Sequence, residues 1–363
     1  MPRVVIAAGG TAGHVVPALA VADALRARGA EVSFLGGERA EAELVPRAGF
    51  ELETLPVAGL DRRNPLRAAR ALGLAVYATL RARRLLRARG ADAVIGGGGY
   101  VAAPAGLAAR SLGLPLALTE ADSHLGLANR MLAPLARRVF LAFDLPVRDG
   151  SRYLVTGRPV PAGTGSADAA AARARLGVPA HGPCLLVFGG SLGARSLNEA
   201  AVEAFGATAP AGGAPAPCSV LHTCGRRDYD ALRARLDALG SPEHYLLHAY
   251  VEPFADALAA ADLAAARAGG SVFELAAAGL PALLVPYPTA TADHQRANAQ
   301  WMADAGAARV VPDAELSGPR LAREVAELLS SPGKLAQMAT AARALARPDA
   351  ADVIARETLA MLE

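Results

Sequence analysis

The chain has 363 residues, more than one hydrophobic core usually organises, so two domains are expected. It is 53% hydrophobic and 20% charged with a formal net charge of +3, which excludes a disordered chain and gives no global field for a polyanion. Lys334 is the only lysine, so a P-loop and a lysine Schiff base in the body of the chain are also excluded. Cys184, Cys218 and Cys224 form no Cys-x-x-Cys pair and read as buried reduced thiols. The opening MPRVVIAAGG reads as a first strand rather than a signal peptide. No run of about 20 apolar residues is free of charge, so no membrane span is expected.

In chain order, strands are predicted at 4–8, 31–35, 51–55, 93–95, 116–119 and 138–143. Residues 157–165 (GRPVPAGTG) follow as a linker, and further strands are predicted at 184–188, 220–224, 245–249, 263–266 and 282–285. Helix-length alanine- and leucine-rich segments lie between most of them, the order of βαβ units in parallel sheets. The division expected is 1–160 and 161–363, with the final helix able to pack back on the first domain.

Each half opens with a strand running into a glycine turn, VVIAAGGTAGH and LLVFGGSLGAR. Gly9-Gly10-Thr11-x-Gly13 and Gly189-Gly190-Ser191-x-Gly193 share one pattern. Such glycines let the backbone turn sharply and approach a ligand, and a hydroxyl there can cap the next helix, whose N–H groups attract anions. Two turns at equivalent places predict twin Rossmann-like domains facing a central cleft. Neither turn reads G-x-G-x-x-G, so a dehydrogenase fits less well.

Several groups fall at predicted carboxyl strand ends, where open α/β sheets bind ligands. His14 is either a general base or a helix-start histidine that bonds only backbone. GGGGYVAAP at 96–104 is either a close approach to a ligand or a tolerated tight turn. Thr119-Glu120-Ala121-Asp122 ends another strand. Gly269, Gly270 and Ser271 can present N–H groups to phosphate, and Glu274, one turn later, can accept both ribose hydroxyls or simply favour a helix start. Gln295 and Asn298 stand one helical turn apart, an arrangement suited to sugar hydroxyls. Asp228-Tyr229-Asp230 matches a metal-binding Asp-x-Asp pattern but reads better as helix-start acids. No cluster has metal-ligand spacing, so neither metal nor cofactor is expected.

Between residues 62 and 89 stand nine arginines and no acid, around the apolar run 71–80. This is either a docking face for an anionic membrane or a solvated helix face. Aromatic residues are few, so nucleic acid is not an expected partner.

Together GGTAGHVVPALAVADAL, GGYVAAPAGLAAR, GGSLGARSLNEA, RAGGSVFELAAAGLPALLVPY and DHQRANA resemble the MurG family of peptidoglycan transferases, in order through nearly the whole chain. The resemblance implies a GT-B fold and inverting transfer of N-acetylglucosamine from UDP-GlcNAc to the 4-hydroxyl of the lipid-linked muramoyl pentapeptide, lipid I, giving lipid II. It implies a cytoplasmic enzyme peripheral on the inner membrane face, with other cell-wall enzymes as candidate partners. Carried over by position, Thr11, Ala12 and Gly13 form the donor-contacting turn, with Ser191 on the diphosphate side. Val251 touches uracil; Gly270, Ser271 and Glu274 hold phosphate and ribose; Gln295 binds the sugar; His14 is the base. The family's donor-contacting asparagine falls on Asp122, and its linker arginine, displaced by three positions, on Arg158. The loop from Arg267 to Glu274 is one residue shorter than the family's usual one. Alternatives are transfer to another lipid or a small aglycone, or a UDP-sugar-binding subunit without activity.

Overall fold

A computed structural model describes residues 1–57, 65–145, 150–190, 193–207, 218–290 and 293–363, without the side chains of 65–72. The chain forms two compact units, Met1–Pro161 with Arg347–Glu363, and Ala162–Ala346. The closing segment groups with the first unit.

The first unit runs β1 (Arg3–Ala7), α1 (Ala12–Ala27), β2 (Glu31–Gly36), α2 (Ala40–Arg47), β3 (Glu51–Thr54), α3 (Pro65–Ala88), β4 (Ala93–Gly96), α4 (Ala102–Ser111), β5 (Leu116–Glu120), α5 (Leu127–Leu132), β6 (Arg138–Leu141) and β7 (Tyr153–Val155). Its seven strands are all parallel in the order β3-β2-β1-β4-β5-β6-β7. A parallel sheet needs both faces covered, and β1 shows how its sequence provides for that. Val5 and Ala7 enter one core with α3 and α4, whereas Val4 and Ile6 enter the other with α1. Successive side chains on a strand point to opposite faces, so one apolar run serves both cores.

The second unit runs α6 (Ala169–Leu176), β8 (Cys184–Phe188), α7 (Arg195–Phe205), β9 (Ser219–Thr223), α8 (Tyr229–Ala238), β10 (Tyr245–His248), α9 (Phe254–Ala260), β11 (Leu263–Ala266), α10 (Val272–Ala278), β12 (Ala282–Leu284), α11 (His294–Asp304), β13 (Ala308–Val310), α12 (Gly318–Leu329) and α13 (Pro332–Leu345). Its six parallel strands are ordered β10-β9-β8-β11-β12-β13. Counted within each unit, both sheets follow 3-2-1-4-5-6, the Rossmann order, in which the sheet switches direction between its first and fourth strands.

The chain then returns to the first unit as α14 (Ala350–Ala360). Ile354, Ala355 and Met361 bury in the α1 side of the first core, Arg28 pairs with Asp352 at 2.6 Å, and Arg137 donates to the Met361 carbonyl at 2.8 Å. The short strands β7 and β13 were not among those predicted. The other eleven match the predicted strands to within two residues at either end.

Candidate active site

In the first unit the switch point lies between β1 and β4, and a glycine turn leaves each strand there. Gly10 has φ +111°, a backbone region that L side chains rarely adopt. Thr11 occupies the N-cap of α1, yet its side chain makes no cap hydrogen bond, so the capping expected from the sequence is not used. Thr11 and Gly13 are exposed and Ala12 is half-buried, so this turn presents a helix start to solvent.

His14 lies in the first turn of α1, half-buried, with its N–H bonded to the Thr11 carbonyl. Its ring packs on the β4 turn so closely that a Cβ at Gly98 would stand 2.6 Å from Cδ2. That contact explains one glycine of the run at 96–99. His14, Thr119, Ala121 and Arg158 help line one small crevice. Arg158 is buried, and its guanidinium donates to the Gly13 carbonyl and, at 3.4 Å, to the Ala121 carbonyl. Asp122 is half-buried, and its N–H donates to Glu120 at 3.2 Å. The Glu120 carboxyl also accepts from Gly126 N–H at 2.8 Å and Asn129 Nδ2 at 2.9 Å. Burial raises its pKa, and these three donors oppose the rise.

The second unit repeats the plan between β8 and β11. Gly190 and Gly193 have φ +84° and +72°, and a Cβ on Gly193 would lie 2.1 Å from the Cys224 carbonyl oxygen. Ser191 lies outside the described residues. Gly270 and Ser271 follow β11 half-buried, Ser271 as N-cap of α10, and Glu274 is half-buried in that helix's first turn. Gln295 accepts Tyr287 N–H at 2.9 Å, and its Nε2 lies 3.9 Å from where a Gly269 Cβ would be. Val251 is buried just past β10. Asn298 departs from its expected sugar-facing role: it is fully buried and donates to the Ala268 carbonyl at 3.0 Å, bracing the loop after β11.

Three supports were not read from the sequence. Buried Arg267 pairs with Asp313 at 2.7 Å, donates to Ser196 Oγ at 2.7 Å and to the Val285 carbonyl at 3.0 Å, and so joins the ends of β11 and β12 to α7. Fully buried His222 bonds Tyr245 at 2.8 Å and Asn198 at 3.0 Å. The Asn198 amide donates to the Cys224 carbonyl and to Asp228, both at 3.0 Å, which leaves its oxygen to accept from His222 Nε2. Arg227 beside Asp228 holds that carboxyl below its ordinary range. Asp228 thus serves an internal relay rather than only a helix start. The third support, Glu41, has no motif of its own; its only trace in the sequence is a carboxylate four residues after the Gly36-Gly37 pair.

Among the described residues, no helix is long and apolar enough to cross a membrane. On α3, Val76, Tyr77 and Leu80 are exposed, whereas Ala78, Ala82 and Leu86 are buried. Arg81 and Arg83 are half-buried, and Arg84 and Arg87 are exposed. Arg89, the last of the nine arginines, is bound to Glu51 at 2.7 Å and Glu53 at 3.3 Å.

The glycosyltransferase family 28 N-terminal domain matches residues 4–141 and the family 28 C-terminal domain residues 184–354. The chain is 42% identical to a Methylococcus capsulatus UDP-N-acetylglucosamine–N-acetylmuramyl-(pentapeptide) pyrophosphoryl-undecaprenol N-acetylglucosamine transferase, covering 98% of each chain. The transferase of the same description from Nitrosococcus oceani is 43% identical, again over 98% of each. Among solved structures, Acinetobacter baumannii MurG superposes with a TM-score of 0.76 at 31% identity, over 99% of this chain and 100% of that one. The glycotransferase of kitacinnamycin, at 22% identity and a TM-score of 0.70, shares the fold.

Proposed function

The chain belongs to the glycosyltransferase family 28 transferases of the MurG type, GT-B enzymes that use UDP-GlcNAc, and from that premise we propose how its own residues carry out the transfer. It moves N-acetylglucosamine from UDP-GlcNAc to lipid I, giving lipid II for peptidoglycan synthesis. The match to transferases of that description over nearly the full length of both chains carries this reading.

In the proposed reaction His14 removes the proton from the acceptor's 4-hydroxyl as that oxygen attacks the anomeric carbon. The carbon–oxygen bond to the diphosphate breaks from the opposite face, which inverts the configuration. The half-buried imidazole, just past the carboxyl end of β1, puts a nitrogen base at the sheet edge where open α/β folds bind ligands. UDP departs toward helix-start N–H groups, which favour the negative charge growing on its leaving oxygen. Thr11, Ala12, Gly13 and Asp122 meet the donor from the first unit, and Arg158 holds their loops. In the second unit Ser191, Gly270 and Ser271 take the diphosphate, Glu274 the ribose, Val251 the uracil and Gln295 the sugar.

We further infer that the 62–89 segment docks the first unit on the anionic cytoplasmic leaflet. The support is the exposed trio Val76, Tyr77 and Leu80 beside Arg84 and Arg87 on one helix. UDP release with UDP-GlcNAc and lipid I, or a soluble short-chain analogue, tests the transfer. Release that depends on acceptor is expected; its absence leaves a sugar-nucleotide binder.

A further inference from the structure

Three loops leave the carboxyl edge of the first sheet at β1, β2 and β4, and one side chain hydrogen-bonds the first two and lies beside the third. Glu41, on α2, is 0% exposed. Its Oε2 accepts the Gly10 N–H at 2.9 Å and its Oε1 the Gly37 N–H at 2.8 Å. The Tyr100 ring, from the loop after β4, packs beside the same site: a Cβ at Gly37 would stand 3.1 Å from its hydroxyl and one at Gly10 3.5 Å from its Cε1, and the Arg39 guanidinium lies 5.3 Å over the ring. Burial and then the Glu41 charge push the Tyr100 phenol above its ordinary value, so it stays protonated beside the carboxylate.

The surroundings of the carboxyl are built from glycine. A Cβ at Gly9 would stand 2.7 Å from Oε1, one at Gly37 2.9 Å from Oε1, and one at Gly36 2.8 Å from Cγ. The β4 loop meets the β1 loop directly, since a Cβ at Gly99 would lie 2.1 Å from the Gly9 carbonyl oxygen. One residue earlier, Gly98 is the surface on which the His14 ring rests. Displacing either loop therefore moves the imidazole.

We propose that Glu41 is a positioning residue for the transfer: by holding the Gly10 and Gly37 N–H groups on one buried carboxylate it fixes the β1 loop, which the β4 loop meets at Gly99, and these two glycine loops set the direction of His14. This rests on His14 being the base. Glu41 touches no substrate; it acts through the loops.

Two substitutions separate positioning from mere filling of space. Glu41→Gln keeps the shape but has one acceptor oxygen, so one of the two backbone N–H groups faces an amide donor. Glu41→Met keeps the length and has no strong acceptor. Misplacing a catalytic group by about 1 Å costs on the order of 100-fold, so kcat should fall about 10-fold in Glu41→Gln and about 100-fold in Glu41→Met. The affinity for UDP should stay within about twofold of wild type, since the groups proposed to hold the uridine belong to the other unit, whereas KM for UDP-GlcNAc can rise because the Gly10 loop leads into the donor-contacting Thr11, Ala12 and Gly13. A filler would give the reverse order, Glu41→Met matching or exceeding Glu41→Gln. That order, or a kcat loss equal to the unfolded fraction measured by circular dichroism, overturns the proposal. If neither variant folds, Glu41→Asp decides, because it keeps the carboxylate but sets it back by one methylene from the two N–H groups: a several-fold loss of kcat at unchanged affinity for UDP is expected, and unchanged kcat overturns it. Wild type and His14→Ala are assayed alongside. A wild type that releases no UDP sinks the transferase reading, and a fully active His14→Ala sinks the base assignment and this inference with it, before any Glu41 variant is compared.

Discussion

The guanidinium of Arg158 donates to the carbonyl of Gly13, 145 positions earlier in the chain, and thereby ties the segment just past the last strand of the first unit to the turn after its first. The same group reaches the Ala121 carbonyl, so one buried cation spans three strand exits. Replacing it with methionine leaves two carbonyls without a charged donor, each worth about 1.5–3 kcal/mol. Arg158→Met should therefore destabilise the first unit by about 2–5 kcal/mol. Trp301, the only tryptophan, sits in the second unit. The far-UV transition should accordingly move further than the Trp301 fluorescence transition. Arg158→Lys should rescue little, because an ammonium lacks the planar fork that reaches both carbonyls.

Loss of the base should act on rate and not on donor binding. His14→Ala should lower kcat by about 10²–10⁴ while UDP binds as in wild type. Near-normal turnover would return His14 to a helix-start role, and a parallel collapse of UDP affinity would make it a donor ligand.

Glu274 tests the opposite partition. A lost hydrogen bond to a charged partner costs about 1.5–3 kcal/mol, so Glu274→Ala should weaken use of UDP-GlcNAc by about 10- to 150-fold. Titrating the donor at fixed acceptor measures this, and an unchanged response removes Glu274 from the ribose site.

The His222 relay predicts a pH dependence of stability. Burial pushes this imidazole from 6.5 down to about 3, so it folds as the neutral form. The unfolded chain binds the proton more readily between those values. The stabilisation is thus complete above about pH 6.5 and is lost as pH falls toward 3, by up to about 1.4 kcal/mol per unit. Wild type should lose unfolding free energy faster than His222→Gln across pH 6.5 to 4, and parallel profiles would refute the relay's part in acid sensitivity.

Membrane docking should be electrostatic first. Each basic group near an anionic surface contributes about 1 kcal/mol and is screened within a Debye length, so vesicle binding should fall steeply by about 0.5 M salt. Changing Arg81, Arg83, Arg84 and Arg87 to glutamine should slow transfer to a vesicle-borne acceptor and spare a soluble analogue. Equal effects on both acceptors would reduce α3 to a solvated face.

The central strands were legible because their residues are apolar on both faces, and both glycine turns were legible because their φ values exclude most side chains. β7 and β13 were not, since each is three residues long, lies at a sheet edge and is only partly buried. Asn298 shows the other limit. Its spacing from Gln295 places it on the right face, but the helix turns its amide inward to the Ala268 carbonyl. Glu41 looks like any acid at a helix start, and only tertiary structure brings the Gly10 N–H to it.

The return of α14 to the first core also orders the protein's own synthesis. The second unit is one uninterrupted stretch, complete once Ala346 has emerged from the ribosome. The first unit begins earlier and finishes later, because Ile354, Ala355 and Met361, which cover its α1 side, are made only after the whole of the second unit. The nascent N-terminal sheet must wait with one flank uncovered while the whole of the second unit is translated. A C-terminal truncation at 346 would therefore damage the N-terminal unit, and a fragment ending at 161 would need residues 347–363 supplied to it.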